Sequence, residues 1–142
     1  MANWRYFGKL HSGLYRLTGG RLGARMGWID VALIETIGRK SGKTRVTPLA
    51  CYPWKDSIAV SASNDGQEHH PAWYLNLQAN PRVSVQLGSK RFDAIAEEVS
   101  GDEKEALWKV VTDINHHQTK YRATTSRDIP LIWFRKCDEG SQ

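Results

Sequence analysis

The sequence predicts an α+β domain in which a mainly antiparallel sheet closes into a small barrel, with helices packed outside. Three observations lead to this expectation. The chain has 142 residues, which suits one domain. About six short segments have strand character, and most are joined by tight turns. Two or three further segments show the apolar spacing of helices. A barrel is the natural closure, because it leaves such a sheet no exposed edge.

Bulk composition indicates a soluble, cytoplasmic protein. Hydrophobic residues make up 40% of the chain and charged residues 25%, which is ordinary for a globular domain. No stretch approaches the roughly 18 uncharged apolar residues of a membrane span, and the N-terminus lacks the apolar core of a signal peptide. The two cysteines, Cys51 and Cys137, form no C-x-x-C unit, so we expect unpaired core thiols.

Positive charge is concentrated in the first third of the chain. The net charge is +5, yet residues 1–45 hold nine Lys or Arg and two acids, while the remainder holds 11 bases and 13 acids. An anionic partner should therefore meet the protein through this region. A phosphorylated cofactor, an anionic membrane and a nucleic acid all fit that charge.

Residues 1–28 form a basic segment ahead of a domain over residues 29–142. Its apolar residues recur every three or four positions, as on one face of a helix: Trp4, Phe7, Leu10, Leu14 and Leu17. A basic amphipathic helix with Trp and Phe can lie on an anionic membrane. Peripheral membrane contact through residues 1–28 is one interpretation, and a helix packed on the domain is the other.

Six segments are typical of strands, because β-branched and apolar residues dominate or alternate in them. In chain order they are DVALIETIG, TRVTPLACYPW, SIAVSAS, RVSVQLG, RFDAIAEEV and IPLIWF. The fourth and fifth meet at Gly88-Ser89 and form a predicted hairpin. Pro48, in the second, lacks a backbone N–H and therefore marks an edge or a bulge.

Two helices are predicted between these strands. The first starts at Pro71, which suits the first position of a helix, and stops near Asn80-Pro81. The second is opened by a capping box over residues 100–103. Its predicted apolar face consists of Ala106, Leu107, Val110, Val111 and Ile114. A polar stretch over residues 115–127 then leads to the last strand.

The stretch GRKSGKT over residues 38–44 resembles the phosphate loop of nucleoside triphosphatases but fails as one. That loop places four residues between its glycines and leads into a helix. Here three residues stand between Gly38 and Gly42, and the chain continues into Val46, Thr47 and Pro48, which oppose a helix. We predict a hairpin turn whose bases and backbone N–H groups bind an anion. An ordinary solvated turn is the alternative.

Metal and nucleic-acid binding are both disfavoured. Neighbouring histidines, as in His69-His70 and His116-His117, point to different faces of a regular element, and no H-x-x-x-H or H-E-x-x-H pattern occurs. The bases cluster at one turn rather than along a helix that fits a groove. We therefore predict no metal site and no nucleic-acid partner.

Three stretches carry motifs that are specific in combination. They are TIGRKSGKTRVTPL, ASNDGQEHHPAWYLNLQANPRVSVQ and TSRDIPLIWF. In this order and spacing, across roughly residues 29–136, they resemble the deazaflavin-dependent nitroreductase family of actinobacteria. The resemblance implies a split β-barrel like that of FMN-binding pyridoxamine-phosphate oxidases. It also implies coenzyme F420, which has a deazaflavin ring, a phosphate and an oligoglutamate tail, with FMN as the alternative cofactor.

The resemblance further implies which residues bind the cofactor. Those near its phosphate and tail come from the basic turn: Arg39, Lys40, Ser41, Gly42 and Arg45. Those near its ring come from three other segments: Thr47, Pro48, Ser63, Asn64, Ala72, Trp73 and Tyr74.

The implied activity is hydride transfer from reduced F420 to an electron-poor small molecule, such as a quinone, an α,β-unsaturated lactone or a nitroheteroaromatic. Ser63 is expected to hydrogen-bond the acceptor, and Tyr121 to donate a proton. Asn115 and Gln118 stand where relatives carry aromatic residues, so we expect a partly polar wall that disfavours flat nitroaromatics. A non-catalytic F420 or lipid carrier, an FMN-binding oxidoreductase and a homodimeric assembly stay open.

Overall fold

Seven strands and three helices make up the part of the chain that the structure, a computed structural model, describes: residues 25–26 and 29–137. The strands are β1 (Arg25–Met26), β2 (Ile29–Ile37), β3 (Thr44–Trp54), β4 (Ser57–Ser61), β5 (Arg82–Leu87), β6 (Lys90–Glu98) and β7 (Leu131–Lys136). The helices are α1 (Ala72–Ala79), α2 (Gly101–Ile114) and α3 (His117–Thr124), and a short 3-10 turn covers Asn64–Gly66.

The sheet closes on itself as a six-stranded antiparallel barrel. Its order is β2-β3-β4-β7-β6-β5, and β5 pairs again with β2 through registers such as Ile34 with Val85. Every pairing is antiparallel. The short β1 adds to β2 outside this ring. The predicted α+β barrel is therefore confirmed.

Two apolar clusters lie on opposite faces of the sheet. Successive residues of β4 alternate between them: Ile58 and Val60 join the first cluster, and Ala59 joins the second, as the pleat requires. All six barrel strands contribute to the first cluster, so it fills the barrel, and α1 packs against it. The second cluster holds α2 on the outside of the barrel through Leu107, Trp108 and Val111.

Among the described residues, the strand at Pro48 has an open edge, as predicted. Pro48 pairs with Leu33 on β2, whereas β4 pairs with β3 only from Tyr52 onward. No hydrogen bond of a second strand is therefore lost at the proline. This free edge of β3 leaves room for the cavities described below.

Three details of the helices differ from expectation. Ser100 stands at the N-cap of α2, but its side chain makes no capping hydrogen bond, so the predicted capping box is wrong. Ala106 is exposed and Trp108 is buried, which shifts the apolar face. Helix α3 lies in the stretch expected to be a polar connection. It was missed because Gln118 is its one buried residue, so no apolar periodicity marks it.

The helix predicted near the N-terminus falls largely outside the described residues. Only residues 25–26 of the 1–28 segment are described, and they form β1. The division at residue 28 and the membrane contact stay predictions. Within the described residues, no helix is both long and apolar enough to cross a membrane.

Candidate functional site

The basic stretch is a hairpin turn between β2 and β3, as predicted. Gly42 has a φ of +71°, a conformation that glycine adopts without strain. Its N–H donates to the Gly38 carbonyl oxygen over 2.8 Å, and the Gly38 N–H donates to the Lys43 carbonyl oxygen over 2.8 Å. The Lys43 N–H donates to Ser41 Oγ over 3.1 Å. Most N–H groups of the turn therefore have acceptors within the protein, and an anion would rely mainly on side chains.

A cavity of about 340 Å³ lies beside this turn. Its wall comes from the turn, from the first half of β3 and from α1: Gly38, Arg39, Lys40, Ser41, Arg45, Val46, Thr47, Ala72, Trp73 and Asn76. Arg39, Lys40 and Arg45 are exposed and bring three positive charges to its rim. Of the described residues, none that lines this cavity carries a carboxylate. We call it the cationic cavity.

Helix α1 fixes the orientation of Arg39 through Asn76. The Asn76 Oδ1 atom accepts two hydrogen bonds from Arg39, one from the backbone N over 3.1 Å and one from Nη1 over 2.8 Å. The Arg39 Nη1 atom also lies 3.4 Å from the Ala72 carbonyl oxygen. Asn76 is buried, so its amide is a fixed support rather than a mobile surface group. Asn76 was not among the predicted site residues, although a lone amide within the apolar run AWYLNL was a signal.

A second cavity of about 280 Å³ also has Trp73 in its wall. Its lining comes from β3, β4, the 3-10 turn and α3: Pro48, Leu49, Ala50, Tyr52, Ser61, Ser63, Asn64, Asp65, Pro71, Trp73 and Gln118. Trp73 is shared by both cavities, and it is buried. We call the second space the polar cavity, because hydroxyl and amide groups line much of its wall.

Two hydrogen-bonded pairs stand at the wall of the polar cavity. Ser61 Oγ donates to Gln118 Oε1 over 3.0 Å. Asn115 Nδ2 donates to Tyr52 Oη over 3.0 Å, and Asn115 Oδ1 accepts from the His117 N–H over 3.2 Å. Burial raises the pKa of Tyr52, with the Asn115 bond acting the other way. The Asn115 amide is thus hydrogen-bonded within the protein at both its nitrogen and its oxygen, and Asn115 does not line the cavity. The predicted polar wall was therefore wrong for Asn115. Gln118 lines the polar cavity, and its place in a wall that meets the substrate stays a prediction.

The loop that carries Ser63 and Asn64 is held by Arg127. The Arg127 guanidinium donates to the carbonyl oxygens of Ala62, Ser63 and Gln67, and it contacts His70 Nδ1 over 2.9 Å. Burial lowers the pKa of Arg127. A planar group with five donors suits such a set of acceptors. Arg127 lies in the motif TSRDIPL, but nothing local to that motif indicated this role.

Tyr74 lies apart from both cavities, unlike its neighbours Ala72 and Trp73. Its hydroxyl donates to Glu98 Oε1 over 2.7 Å and accepts from Gln78 Nε2 over 3.1 Å. Burial and the bond to Glu98 raise its pKa to about 12. Since neighbouring positions on a helix point in different directions, the three residues predicted together do not share one wall.

The structure gathers most of the other predicted residues around Trp73. Arg39, Lys40, Ser41, Arg45, Thr47 and Ala72 line the cationic cavity, and Pro48, Ser63 and Asn64 line the polar one. Gly42 shapes the turn without lining either cavity. Tyr121 is half-buried on α3, where its ring stacks on His117, and it is not among the residues that line the polar cavity.

Comparison with known proteins supplies the family. Residues 7–134 match the family model of the F420H(2)-dependent quinone reductases. The chain belongs to this family. An F420H(2)-dependent quinone reductase of Mycobacterium tuberculosis strain H37Rv is 37% identical over 128 residues, which cover 87% of this chain and 86% of the relative. The predicted F420-linked oxidoreductase family is thereby confirmed.

Solved structures agree with this membership. A structure of an F420-H2 dependent reductase is 39% identical, has a TM-score of 0.69 and covers 74% of this chain and 93% of its own. A second, described as a domain-swapped dimer, is 34% identical, has a TM-score of 0.72 and covers 89% of this chain and 96% of its own. The family is described as F420H(2)-dependent, and none of these matches supports FMN as the cofactor.

Proposed function

We propose that this protein is a reductase that uses reduced coenzyme F420 to reduce a quinone. Two observations of different kinds support the proposal. The family and the relative from M. tuberculosis carry that name. The structure has two cavities that meet at Trp73, one with cations at its rim and one with hydroxyl and amide groups. The shared Trp73 is the observation that carries the proposal, because it lets one ligand span the cationic cavity and the polar cavity.

The anionic part of F420 would be held by the cationic cavity. Arg39 and Arg45 can each donate two hydrogen bonds to phosphate oxygens, whereas Lys40 acts as a flexible point charge. Ser41 adds a hydroxyl to the wall. Asn76 keeps the Arg39 guanidinium in one orientation, which lowers the entropy cost of binding.

The ring would lie between Thr47, Pro48, Ala72 and Trp73, close to the polar cavity. When bound in its reduced form, F420 supplies a hydride. The chain's own residues would place an electron-poor acceptor and stabilise the charge that develops on it. Ser63 is suited to this task, because it lines the polar cavity and Arg127 holds its backbone.

A titration with two cofactors tests the assignment. F420 fluorescence is followed as protein is added at low and at high salt, and FMN is titrated in the same way. We expect tighter binding of F420, since three exposed cations can engage both its phosphate and its glutamate tail. We also expect binding to weaken at high salt, because exposed charges are screened within about 10 Å at 0.1 M salt. Tighter binding of FMN, or F420 binding indifferent to salt, would contradict the proposal.

A turnover assay tests the choice of acceptor. Reduced F420 is mixed with the protein and with a quinone, an activated enone or a nitroimidazole, and its reoxidation is followed. We expect the quinone to be reduced fastest and the nitroimidazole slowest, because Gln118 offers a hydrogen bond where an aromatic residue would offer stacking. Binding of F420 without turnover of any acceptor would instead favour a non-catalytic F420 carrier.

A homodimer is the assembly we propose to test. The 34% identical structure described as a domain-swapped dimer supports it. Sedimentation equilibrium of the full chain should give twice the monomer mass of 16.1 kDa. A single species at the monomer mass across the micromolar range would end this proposal.

Membrane contact through residues 1–28 rests on the sequence alone. The segment from residue 3 to 28 carries five bases and no acid, so it should bind anionic vesicles at low salt. Full-length protein is sedimented with vesicles of phosphatidylglycerol and with neutral vesicles as the control. Failure to sediment with the anionic vesicles would exclude the contact.

A further inference from the structure

Two side-chain donors in the lining of the polar cavity already have acceptors within the protein. The Ser61 hydroxyl donates to Gln118, and the Asn64 amide donates to the His69 carbonyl oxygen over 3.1 Å. Tyr52 is fully buried, with its oxygen bonded by Asn115. Besides Tyr52, three side-chain donors in the lining have no acceptor among the described residues: the Ser63 hydroxyl, the Trp73 indole nitrogen and the Gln118 amide nitrogen. Gln118 differs from the other two because a hydrogen bond from Ser61 to its side chain fixes its orientation.

The Gln118 amide is buried and held in one orientation. Its residue is 6% exposed, and its oxygen accepts the 3.0 Å bond from Ser61. The amide oxygen therefore faces Ser61 on β4. The Nε2 group, which has two N–H donors, is then the part of the amide that can face the cavity. The Nε2 atom is not among the buried side-chain atoms that lack a hydrogen-bond partner within the described residues, so it is accessible from the cavity. A ligand that supplies an acceptor could therefore bond to it.

We infer that the Gln118 amide donates a hydrogen bond to the carbonyl oxygen of the quinone, with Ser61 as its positioning residue. The inference rests on the proposed function and specifies how the acceptor is recognised. Gln118 would then select the acceptor together with Ser63. The preferred acceptor is then one whose oxygen gains negative charge during reduction.

The chemistry of the step suits an amide donor. Hydride transfer brings two electrons and one hydrogen to the quinone, while the reduced deazaflavin is oxidised. The product is a hydroquinone monoanion, and one proton must follow to complete the hydroquinone. An amide does not ionise, so Gln118 would hold the oxygen through the step without delivering that proton. Its bond strengthens as the charge grows, which lowers the barrier rather than only improving binding.

Two variants of Gln118 test the contact. Gln118→Met keeps the length of the side chain without its donor. Gln118→Glu keeps the size and an acceptor for Ser61, but it places a negative charge beside the developing one. We expect kcat/KM for a quinone to fall about 10- to 100-fold in Gln118→Met, mainly through kcat, and at least as far in Gln118→Glu.

A second acceptor separates a specific contact from general damage. N-methylphenazinium also takes two electrons and one hydrogen but has no oxygen, so its kcat/KM should fall less than about 3-fold in Gln118→Met, within the effects of a lost neutral contact. Lys120→Met, an exposed position on the same helix, is the matched control and should change neither rate. Equal losses with both acceptors would overturn the inference.

Ser61 is tested by removal and by rescue. Ser61→Ala frees the Gln118 amide to rotate, so kcat for the quinone should fall severalfold with little change in KM. Ser61→Thr keeps the hydroxyl and should restore the rate. If Ser61→Thr is as slow as Ser61→Ala, the hydroxyl does not position the amide.

The contact and the proposed function fail in different ways. Wild-type protein that reduces quinones, together with unchanged quinone kinetics in Gln118→Met, would overturn the contact alone. Wild-type protein that reduces N-methylphenazinium but no quinone would overturn the proposed acceptor and this contact with it.

Discussion

Arg127 donates a hydrogen bond of 2.7 Å from Nη2 to the backbone carbonyl oxygen of Ser63. The two residues lie 64 positions apart in the chain. The same guanidinium reaches Ala62, Gln67 and His70. One side chain therefore fixes both ends of the loop that presents Ser63 to the polar cavity.

Substitution of Arg127 should disturb this loop more than the barrel. Arg127→Lys replaces a planar fork by a single ammonium group, which cannot reach the same acceptors. We expect kcat/KM to fall about 10- to 100-fold, because a small misplacement of reacting groups is costly. Arg127→Ala should also lower the free energy of unfolding by about 2 kcal/mol, since charged hydrogen bonds are lost.

Steady-state kinetics and urea unfolding measure these two effects. Lys120→Ala, at an exposed position of α3, serves as the control and should change neither quantity. Wild-type kinetics in Arg127→Lys would show that the loop keeps its position without the guanidinium group.

Asn76 and Arg39 should behave as one unit in cofactor binding. Each of Arg39→Ala and Lys40→Ala should weaken F420 binding about 10- to 100-fold, the value of a charge-assisted contact. Asn76→Ala leaves the charge of Arg39 but removes its support, so a loss of about 10-fold is expected from lost orientation.

A double-mutant cycle measures the coupling between the two residues. Arg39→Ala combined with Asn76→Ala should bind F420 about as weakly as Arg39→Ala alone, because Asn76 acts through the arginine. Lys40→Ala combined with Asn76→Ala is the matched control and should be additive. Additive losses in both pairs would mean that Asn76 acts through its bond to the Arg39 backbone N–H, which Arg39→Ala keeps, rather than through the guanidinium.

Tyr121 is tested as the proton donor. Its ring stacks on His117 with centroids 6.5 Å apart, and it follows Gln118 on α3 by three positions, which places both near one helix face. Tyr121→Phe removes only the hydroxyl. If this hydroxyl delivers the proton, kcat should fall more than KM rises, because its hydrogen bond to the acceptor strengthens in the transition state.

A solvent isotope effect supplies the second measurement for Tyr121. Wild-type turnover in heavy water should slow, and the effect should change in Tyr121→Phe. Unchanged kcat and an unchanged isotope effect would assign the proton to solvent.

Glu68 should make stability depend on acidic pH. Ser126 Oγ donates to its carboxylate over 2.7 Å, and the Ser126 N–H and Thr125 hydroxyl add further bonds. These bonds, with the Ser126 side chain first, lower the pKa of Glu68 from 4.5. The folded state therefore favours the ionised carboxylate. Its stabilising effect is present above pH 4.5 and is lost as pH falls through the lowered pKa.

Thermal melts of wild type and Glu68→Gln test this linkage. The wild type should melt at the higher temperature at pH 7, and the difference should shrink as the pH falls from 4.5 toward 3. Between pH 6 and pH 8 the difference should stay constant, which is the internal control. A difference that does not vary below pH 4.5 would mean that the carboxylate charge contributes nothing to this contact.

The sequence by itself determined the strands, the turn between β2 and β3 and the family. Strand segments follow from alternation and β-branched content, which are local properties. The predicted segment TRVTPLACYPW coincides with β3. The turn followed from the spacing of Gly38 and Gly42 and from the residues after it. These features depend on neighbours within a few positions, so they can be read from one stretch.

Only the tertiary structure decided which side chains meet. Arg39 contacts Asn76 across 37 positions, and Arg127 contacts Ser63 across 64. Closure of the barrel brings α1 and the 3-10 turn to the free edge of β3, and no local pattern encodes that approach. Tyr74 turned away from its neighbours for the same reason: one helix face packs on Glu98 while another lines the cavities. Sequence patterns report burial, whereas the partner of a polar group depends on how distant elements pack.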